Sequence, residues 1–392
     1  MITTAVLLLL SSTTLALNNG AGKTPAMGWN TWNKYACNIS EDIIKSNANQ
    51  IIALGLDQLG YKYVNIDDCW QLPARDKDNH VQADTTRFSN GMKAVGDFLH
   101  SKSLKFGIYS SAGTMTCQQK AGSLGFEDID AADYASWGVD YLKYDNCYNK
   151  MVPAVQRYTA MRDALQKTGR QIYYSICNWG EEETWKWAKD IGNSWRTTND
   201  IQNKWASMRE NFKWNAQHPE IAGPGGWNDP DMLEIGNGGL TPLEEKTHFA
   251  LWSFAKAPLI LGNDLTKMTP DQLSIISNTN FINVNQDSFG QQAKCVQGCN
   301  GGDIEVYQSF QNDKGSYYGL LVVNWSDTQS KAILINFQIA GVTTKANDTC
   351  KLTDLWTGNY LGSFLGSYYV TGLQPHDNLA FKVICSTTAQ QS

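Results

Sequence analysis

Histidine is scarce in this chain. Its five histidines (His80, His100, His218, His248, His376) are scattered, with no HExxH and no Cys/His cluster at metal-ligand spacing. No catalytic metal and no cofactor are therefore expected. No GxGxxG loop follows any strand-like run, which removes the usual nucleotide role of an open doubly wound sheet. No run approaches the ~20 apolar residues of a membrane helix. Positive charge is also short: Lys+Arg 32 against Asp+Glu 38 leaves a net charge of -6. That balance argues against nucleic acid or an anionic membrane surface as partner.

What is present fits a secreted chain. Residues Met1–Ala16 read as a signal peptide, with Ala5–Leu10 as apolar core and Thr14–Leu15–Ala16 as small residues at the cleavage point. The leader has no Lys or Arg before that core. Sequons at Asn38, Asn324 and Asn347 agree with secretion and glycosylation. The 9 cysteines predict several disulfides and one leftover thiol, with connectivity left open by spacing alone.

The 392 residues allow one large domain and a smaller companion. Strand-like runs near residues 25, 63, 106, 141, 172, 194, 222 and 258 alternate with helical patterns. Ser40 is placed to cap a helix with Ile44, Ala48, Ile51 and Ile52 on one face. Met92, Val95, Phe98 and Leu99 form a second such face, and Val152, Val155, Met161 and Leu165 a third. Thr241–Pro242–Leu243–Glu244 and Thr269–Pro270–Asp271–Gln272 read as capped helix starts. Eight βα units predict an α/β fold, a closed (β/α)8 barrel over residues 22–288. Residues 289–392 change character. Ile304–Glu305–Val306, Tyr317–Val323, Ala332–Phe337 and Leu379–Ile384 predict a small antiparallel β-sandwich whose role is packing.

Apolar runs of the first part repeatedly end in aspartate: Asp67 and Asp68, Asp145, Asp200, Asp229 and Asp231, and Asp264. Carboxylates at the C-terminal ends of barrel strands mark the active face. Twelve of the 14 tryptophans precede residue 265. Most are expected in the core, but a few beside strand-end acids suit stacking on a sugar ring. Lys143 and Asp145, two apart on one strand, point to the same side. A lysine there would keep the carboxylate ionised, and a buried structural ion pair is the alternative. Arg196 and Asp200, four apart, read on their own as an ordinary surface i,i+4 pair. Two carboxylates facing one glycosidic bond suffice for hydrolysis, but residue patterns alone do not choose two among seven aspartates.

Whole motifs go further. Met27–Gly28–Trp29–Asn30–Thr31–Trp32, Ile66–Asp67–Asp68–Cys69–Trp70, Lys143–Tyr144–Asp145–Asn146–Cys147, Trp195–Arg196 with Asp200, and Gly223–Pro224–Gly225–Gly226–Trp227–Asn228–Asp229–Pro230–Asp231–Met232–Leu233 resemble family 27 glycoside hydrolases. The secreted α-galactosidases of that family are the nearest in pattern. The resemblance runs from about Gly22 to Gln286. It implies a retaining exo-acting hydrolase of terminal α-galactosides, with Asp145 as nucleophile and Asp200 as general acid/base.

It further implies that Asp67 and Asp68 take the galactose 4- and 6-hydroxyls and that Lys143 donates near the 3-position. Trp32, Tyr109, Trp179 and Met232 would shape the pocket, and Arg196 would hold Asp200 and the sugar. Cys37–Cys69 and Cys117–Cys147 match family disulfides, with Cys117 also at the substrate. Two departures stand out. Asn178 replaces a family Glu in Cys177–Asn178–Trp179, and Asn193 stands near where animal relatives pair the Cys177 position. Cys177 is thus the candidate free thiol, near the sugar 2-hydroxyl, and the bulk of Trp179 disfavours a 2-acetamido group. The expected partner is an α-galactoside carbohydrate, with no nucleic acid and no membrane, and with a homo-oligomer left open. Rival readings are an α-N-acetylgalactosaminidase, a β-L-arabinopyranosidase, or a galactose-binding lectin without turnover.

Overall fold

The computed structural model describes residues 17–313 and 315–386. The leader expected over residues 1–16 lies outside them. Eight parallel strands form the first sheet: β1 Met27–Asn30, β2 Tyr63–Asn65, β3 Lys105–Ser111, β4 Tyr141–Asp145, β5 Tyr173–Cys177, β6 Ser194–Arg196, β7 Trp227–Asp229 and β8 Leu259–Leu261. Neighbours follow chain order from β7 down to β1, and β1 then pairs with β8. A single parallel bridge between Leu233 and Leu261 closes the ring beside β7. The product is the expected (β/α)8 barrel. One strand differs from expectation. The run near residue 222 is not part of the sheet. Gly223 and Gly226 pair across a tight turn there, and the strand starts five residues later, at Trp227.

Helices α1 Trp32–Tyr35, α2 Glu41–Ala53, α3 Gly91–Ser101, α4 Glu127–Ser136, α5 Ala154–Lys167, α6 Trp205–Asn215, α7 Pro242–Phe254, α8 Pro270–Ile276 and α9 Thr279–Gln286 complete this part. Ser40 caps α2, its hydroxyl accepting from Ile43 N at 3.3 Å. Thr241 and Thr269 each close a reciprocal capping box with Glu244 and Gln272, satisfying first-turn amides that a helix leaves free. Two expected faces are narrower than the spacing suggested. Ile44, Ala48 and Ile51 are buried, but Ile52 is exposed. In α5 the buried face is Arg157, Tyr158, Met161 and Leu165, while Val155 is exposed and Val152 precedes the helix.

Eight antiparallel strands follow: β9 Lys294–Gln297, β10 Ile304–Gln311, β11 Tyr317–Asn324, β12 Lys331–Asn336, β13 Thr349–Asp354, β14 Tyr360–Leu365, β15 Ser367–Leu373 and β16 Asn378–Ser386. Six build one sheet in the order β14-β13-β16-β11-β10-β9, and β12 pairs with β15 in a second. Val306, Leu320, Val322, Ile335, Leu352 and Val383 fill the space between them, as in a sandwich. The opposite face of the large sheet joins the barrel's own core through Tyr307, Leu321, Val323 and Trp325. There Phe212 meets Tyr307 at 5.2 Å between ring centroids, and Lys213 pairs with Glu305.

All nine cysteines are accounted for. Disulfides join Cys37–Cys69, Cys117–Cys147, Cys295–Cys299 and Cys350–Cys385, and Cys177 is the buried free thiol. The sequons divide. Asn38 and Asn347 are exposed. Asn324 is fully buried, and its amide donates to Gln329 O, Leu373 O and Gln374 O at 2.8, 2.9 and 3.0 Å. A glycan would replace one of the two N–H groups that make these bonds and would have to leave from a fully buried nitrogen, so this folded arrangement speaks against the sequon at Asn324.

Candidate active site at the barrel mouth

The parallel register assembles the site. Tyr109 of β3 lies opposite Lys143 of β4, and Asp145 lies opposite Cys177 of β5. Arg196 of β6 lies opposite Asp229 of β7. One interior cavity is lined by Asn30, Lys143, Cys177, Arg196, Asp231 and Met232 among others.

Asp145 sits at the centre of a donor set. Tyr109 donates its hydroxyl to Asp145 Oδ2 at 2.7 Å, and Asn146 N donates to Oδ1 at 2.9 Å. Cys117 Sγ, bound in its disulfide, lies 3.3 Å from the same Oδ2. Burial raises the Asp145 carboxyl to about 6, against the lowering pull of Lys143 and of the Tyr109 hydrogen bond. Burial also pushes the Cys177 thiol well up, with the Asp145 charge adding to it. Cys177 is thus a thiol, not a thiolate, beside the carboxylate.

Lys143 does not make its ion pair with Asp145. Its ammonium is 2.8 Å from Asp67 Oδ2, an oxygen that also accepts from Asn30 Nδ2 at 2.8 Å. Burial opposes the lysine charge, but Asp67 together with Asp145 holds it firmly protonated. Asp67 Oδ1 accepts from Asp68 N at 2.9 Å. Asp68 accepts from Cys69 N at 2.7 Å and Gln118 N at 2.9 Å, while burial raises its carboxyl. Both carboxylates are thereby fixed in one orientation, with Asp67 facing Lys143.

Arg196 is buried and Asp200 is exposed, so their pair is not the ordinary surface one. The guanidinium Nη2 is 3.1 Å from Asp200 and 2.9 Å from buried Asp231. Asp231 also accepts from Ile201 N at 2.8 Å, which ties the Asp200 loop to the end of β7. Burial tends to raise the Asp200 carboxyl, but the Arg196 and Lys143 charges outweigh it and the net direction is down. Asp200 in turn is near enough to raise Asp145.

Of the tryptophans beside strand ends, Trp29, Trp70, Trp195 and Trp227 are wholly buried. Each indole N–H bonds within the protein, to Asn263 O, Tyr109 O, Asn228 Oδ1 and Gly22 O at 2.7–2.8 Å. Trp32 and Trp179 alone of the six keep a partly open face. Trp179 holds a left-handed backbone, φ 60, a conformation costly for a bulky residue and concentrated at functional loops. Next to it, buried Asn178 braces the loop, donating to Glu181 O and accepting from Thr184 Oγ1, both at 2.7 Å. Asn193, near the absent cysteine, bonds Tyr174 N at 2.9 Å and Gly225 O at 3.1 Å.

Two residues escaped sequence reasoning. Asn30 stands out in the sequence only as part of a motif, and Asp231 only as one of seven strand-end acids. Their signal was weak, since each acts through another side chain: Asn30 on Asp67, Asp231 on Arg196. Asp264 instead caps a short turn, accepting from Thr266 N at 3.1 Å.

A family model described as alpha galactosidase A matches residues 24–287, and one described as alpha galactosidase C-terminal beta sandwich domain matches 301–383. The chain is 46% identical over 359 residues to alpha-galactosidase 3 of Arabidopsis thaliana, covering 89% of this chain and 80% of that one. The crystal structure of alpha-galactosidase I from Mortierella vinacea superposes with a TM-score of 0.88 at 38% identity, covering 94% of this chain and 99% of that one. A Saccharomyces cerevisiae α-galactosidase solved with raffinose gives 0.86 at 32%, with 94% and 99% covered. A β-L-arabinopyranosidase from Geobacillus stearothermophilus, at 22% identity, shares the fold. Barrel, sandwich and strand-end acids together place this chain in the α-galactosidase family of glycoside hydrolases.

Proposed function

We propose that this chain is a secreted exo-α-galactosidase that releases terminal α-galactose with retention, through Asp145 and Asp200. The observation that carries it is the unequal setting of the two acids. Asp145 is buried and held by Tyr109 and Asn146, as a nucleophile needs for a fixed line of attack. Asp200 is exposed and held by Arg196, free to exchange its proton with a leaving group and then with water.

In the first step Asp145 attacks the anomeric carbon. The bond to the leaving oxygen breaks, and the Asp200 proton goes to that oxygen. In the second, Asp200 takes a proton from water as the water oxygen displaces Asp145. Product galactose keeps its anomeric configuration. Asp67, pinned by Asn30 and Lys143, is positioned to accept from an axial 4-hydroxyl. An equatorial one would forgo that charged hydrogen bond, which selects against glucose. The raffinose bound by the yeast relative supports a galactosyl oligosaccharide as substrate, and four disulfides suit an oxidising compartment.

The test is Asp145→Asn, which should lower kcat on 4-nitrophenyl α-galactoside by more than about a thousandfold while leaving galactose binding measurable. Undiminished turnover would reject the assignment. Side-by-side rates on aryl α-N-acetylgalactosaminide and aryl β-L-arabinopyranoside should both fall far below the α-galactoside rate.

A further inference from the structure

Beyond the galactose pocket, a second concavity of about 680 Å³ begins at Asp200 and runs along α6. That volume is in the range of sites for ligands larger than one sugar ring. Its walls carry three indoles, Trp179, Trp185 and Trp214. Trp185 stacks one face on His218 at 4.7 Å, which fixes its plane. Trp214 is 52% exposed, although it is among the largest apolar side chains available. Packing within the barrel explains neither open indole.

The groove is polar between the rings. Asn211 uses its amide nitrogen on Asn199 O and Pro230 O at 3.2 and 3.0 Å, so its oxygen is left to accept. Apart from Asp200, which pairs with Arg196, the charged lining groups are Glu181 and Glu210 against Lys204, an imbalance that repels anionic ligands. Flat apolar faces alternating with hydroxyl acceptors suit pyranose rings, and the negative balance selects uncharged ones.

We propose that this groove holds the leaving group, a chain of two or more neutral sugar units, and that Trp214 and Trp185 are its stacking platforms. The inference rests on Asp200 as the acid, because the oxygen that Asp200 protonates belongs to the departing sugar. The leaving group must therefore exit on the Asp200 side, where the groove starts. The sandwich sets its geometry from behind. Trp205 and Phe212 of α6 pack on Trp325 at 5.7 and 6.0 Å, and Lys213 pairs with Glu305. The C-terminal domain thus holds the helix that presents Trp214.

The test compares kcat/KM on 4-nitrophenyl α-galactoside, whose leaving group is too short to span the groove, and on an α-galactosylated mannotetraose. Trp214→Ala and Trp185→Ala should each lower the oligosaccharide value about tenfold or more, mainly through KM, with the aryl value within about twofold. Trp214→Phe should restore most of the loss. Equal losses on both substrates, or none on either, would overturn the groove assignment while leaving the hydrolase reading intact. A wild-type chain that cleaves neither substrate would overturn both.

Discussion

Tyr109→Phe removes one hydrogen bond and little else. The ring stays, and with it the face 5.5 Å from the Lys143 ammonium. What goes is the hydroxyl donating to Asp145 Oδ2 at 2.7 Å. A hydrogen bond to a charged acceptor contributes about 1.5–3 kcal/mol, and about 1.4 kcal/mol corresponds to one pH unit. Asp145, already raised by burial to about 6, should then titrate about one to two pH units higher.

The consequence depends on proton order. The free enzyme needs Asp145 ionised and Asp200 protonated, but Asp145 is raised and Asp200 lowered. The dominant singly protonated form therefore has its proton on the wrong acid. Raising Asp145 further shrinks the active fraction by about ten- to a hundredfold between the two limbs. It also moves the alkaline limb of kcat/KM upward by the same amount. Above that new limb both acids are ionised in the resting enzyme. The active fraction there depends on Asp200 alone, so variant and wild-type rates should converge. The assay is kcat/KM on 4-nitrophenyl α-galactoside from about pH 4 to about pH 9. A uniform loss at every pH, with the limb unmoved, would refute the reasoning and leave Tyr109 as a wall of the pocket.

Two further outcomes follow from buried groups. Burial raises Asp145 and Asp229 to about 6 and Glu234 to about 7, so these three carboxyls bind more protons folded than unfolded above about pH 4, and they outweigh buried His248, which burial lowers to about 3. Their contribution to stability is greatest below the unfolded values and is lost as pH rises through 6 to 7. Tm by calorimetry should be lower at about pH 7.5 than at about pH 5, and a rise would contradict this. Cys177 is buried, with its thiol pushed up. Iodoacetamide should leave the native enzyme unlabelled and active, yet alkylate one cysteine once guanidinium unfolds it with disulfides intact.

The barrel was legible because strands buried on both faces read as apolar runs, and aspartates at their ends gave the active face. The shift at β7 came from Trp227–Asn228–Asp229, three residues without an apolar run, preceded by a glycine turn. Helices α4 and α6 left no clear period because their buried faces carry polar groups. Asp130 pairs with Arg75 at 2.6 Å, and Asn211 and Asn215 are buried in α6. Strand β14 lies at a sheet edge, and its residues Tyr360, Leu361 and Leu365 are apolar yet exposed, so its sequence does not alternate apolar with polar. At the site, Lys143 lies on the expected strand and its charge, against burial, pulls the Asp145 carboxyl down as expected, but its direct ion pair is with Asp67. Strand periodicity orients side chains to one side, and it does not say which neighbouring strand supplies the counter-ion. The burial of the Asn324 sequon was hidden for the same reason: its three carbonyl partners lie 5, 49 and 50 residues away.

The most direct measurement traps the first step. A slow-turnover fluorinated galactosyl substrate should leave a covalent galactosyl group on the enzyme, and peptide mass spectrometry should locate it on Asp145. An adduct on Asp200 or another carboxylate, or none alongside a product of inverted configuration, would contradict the account.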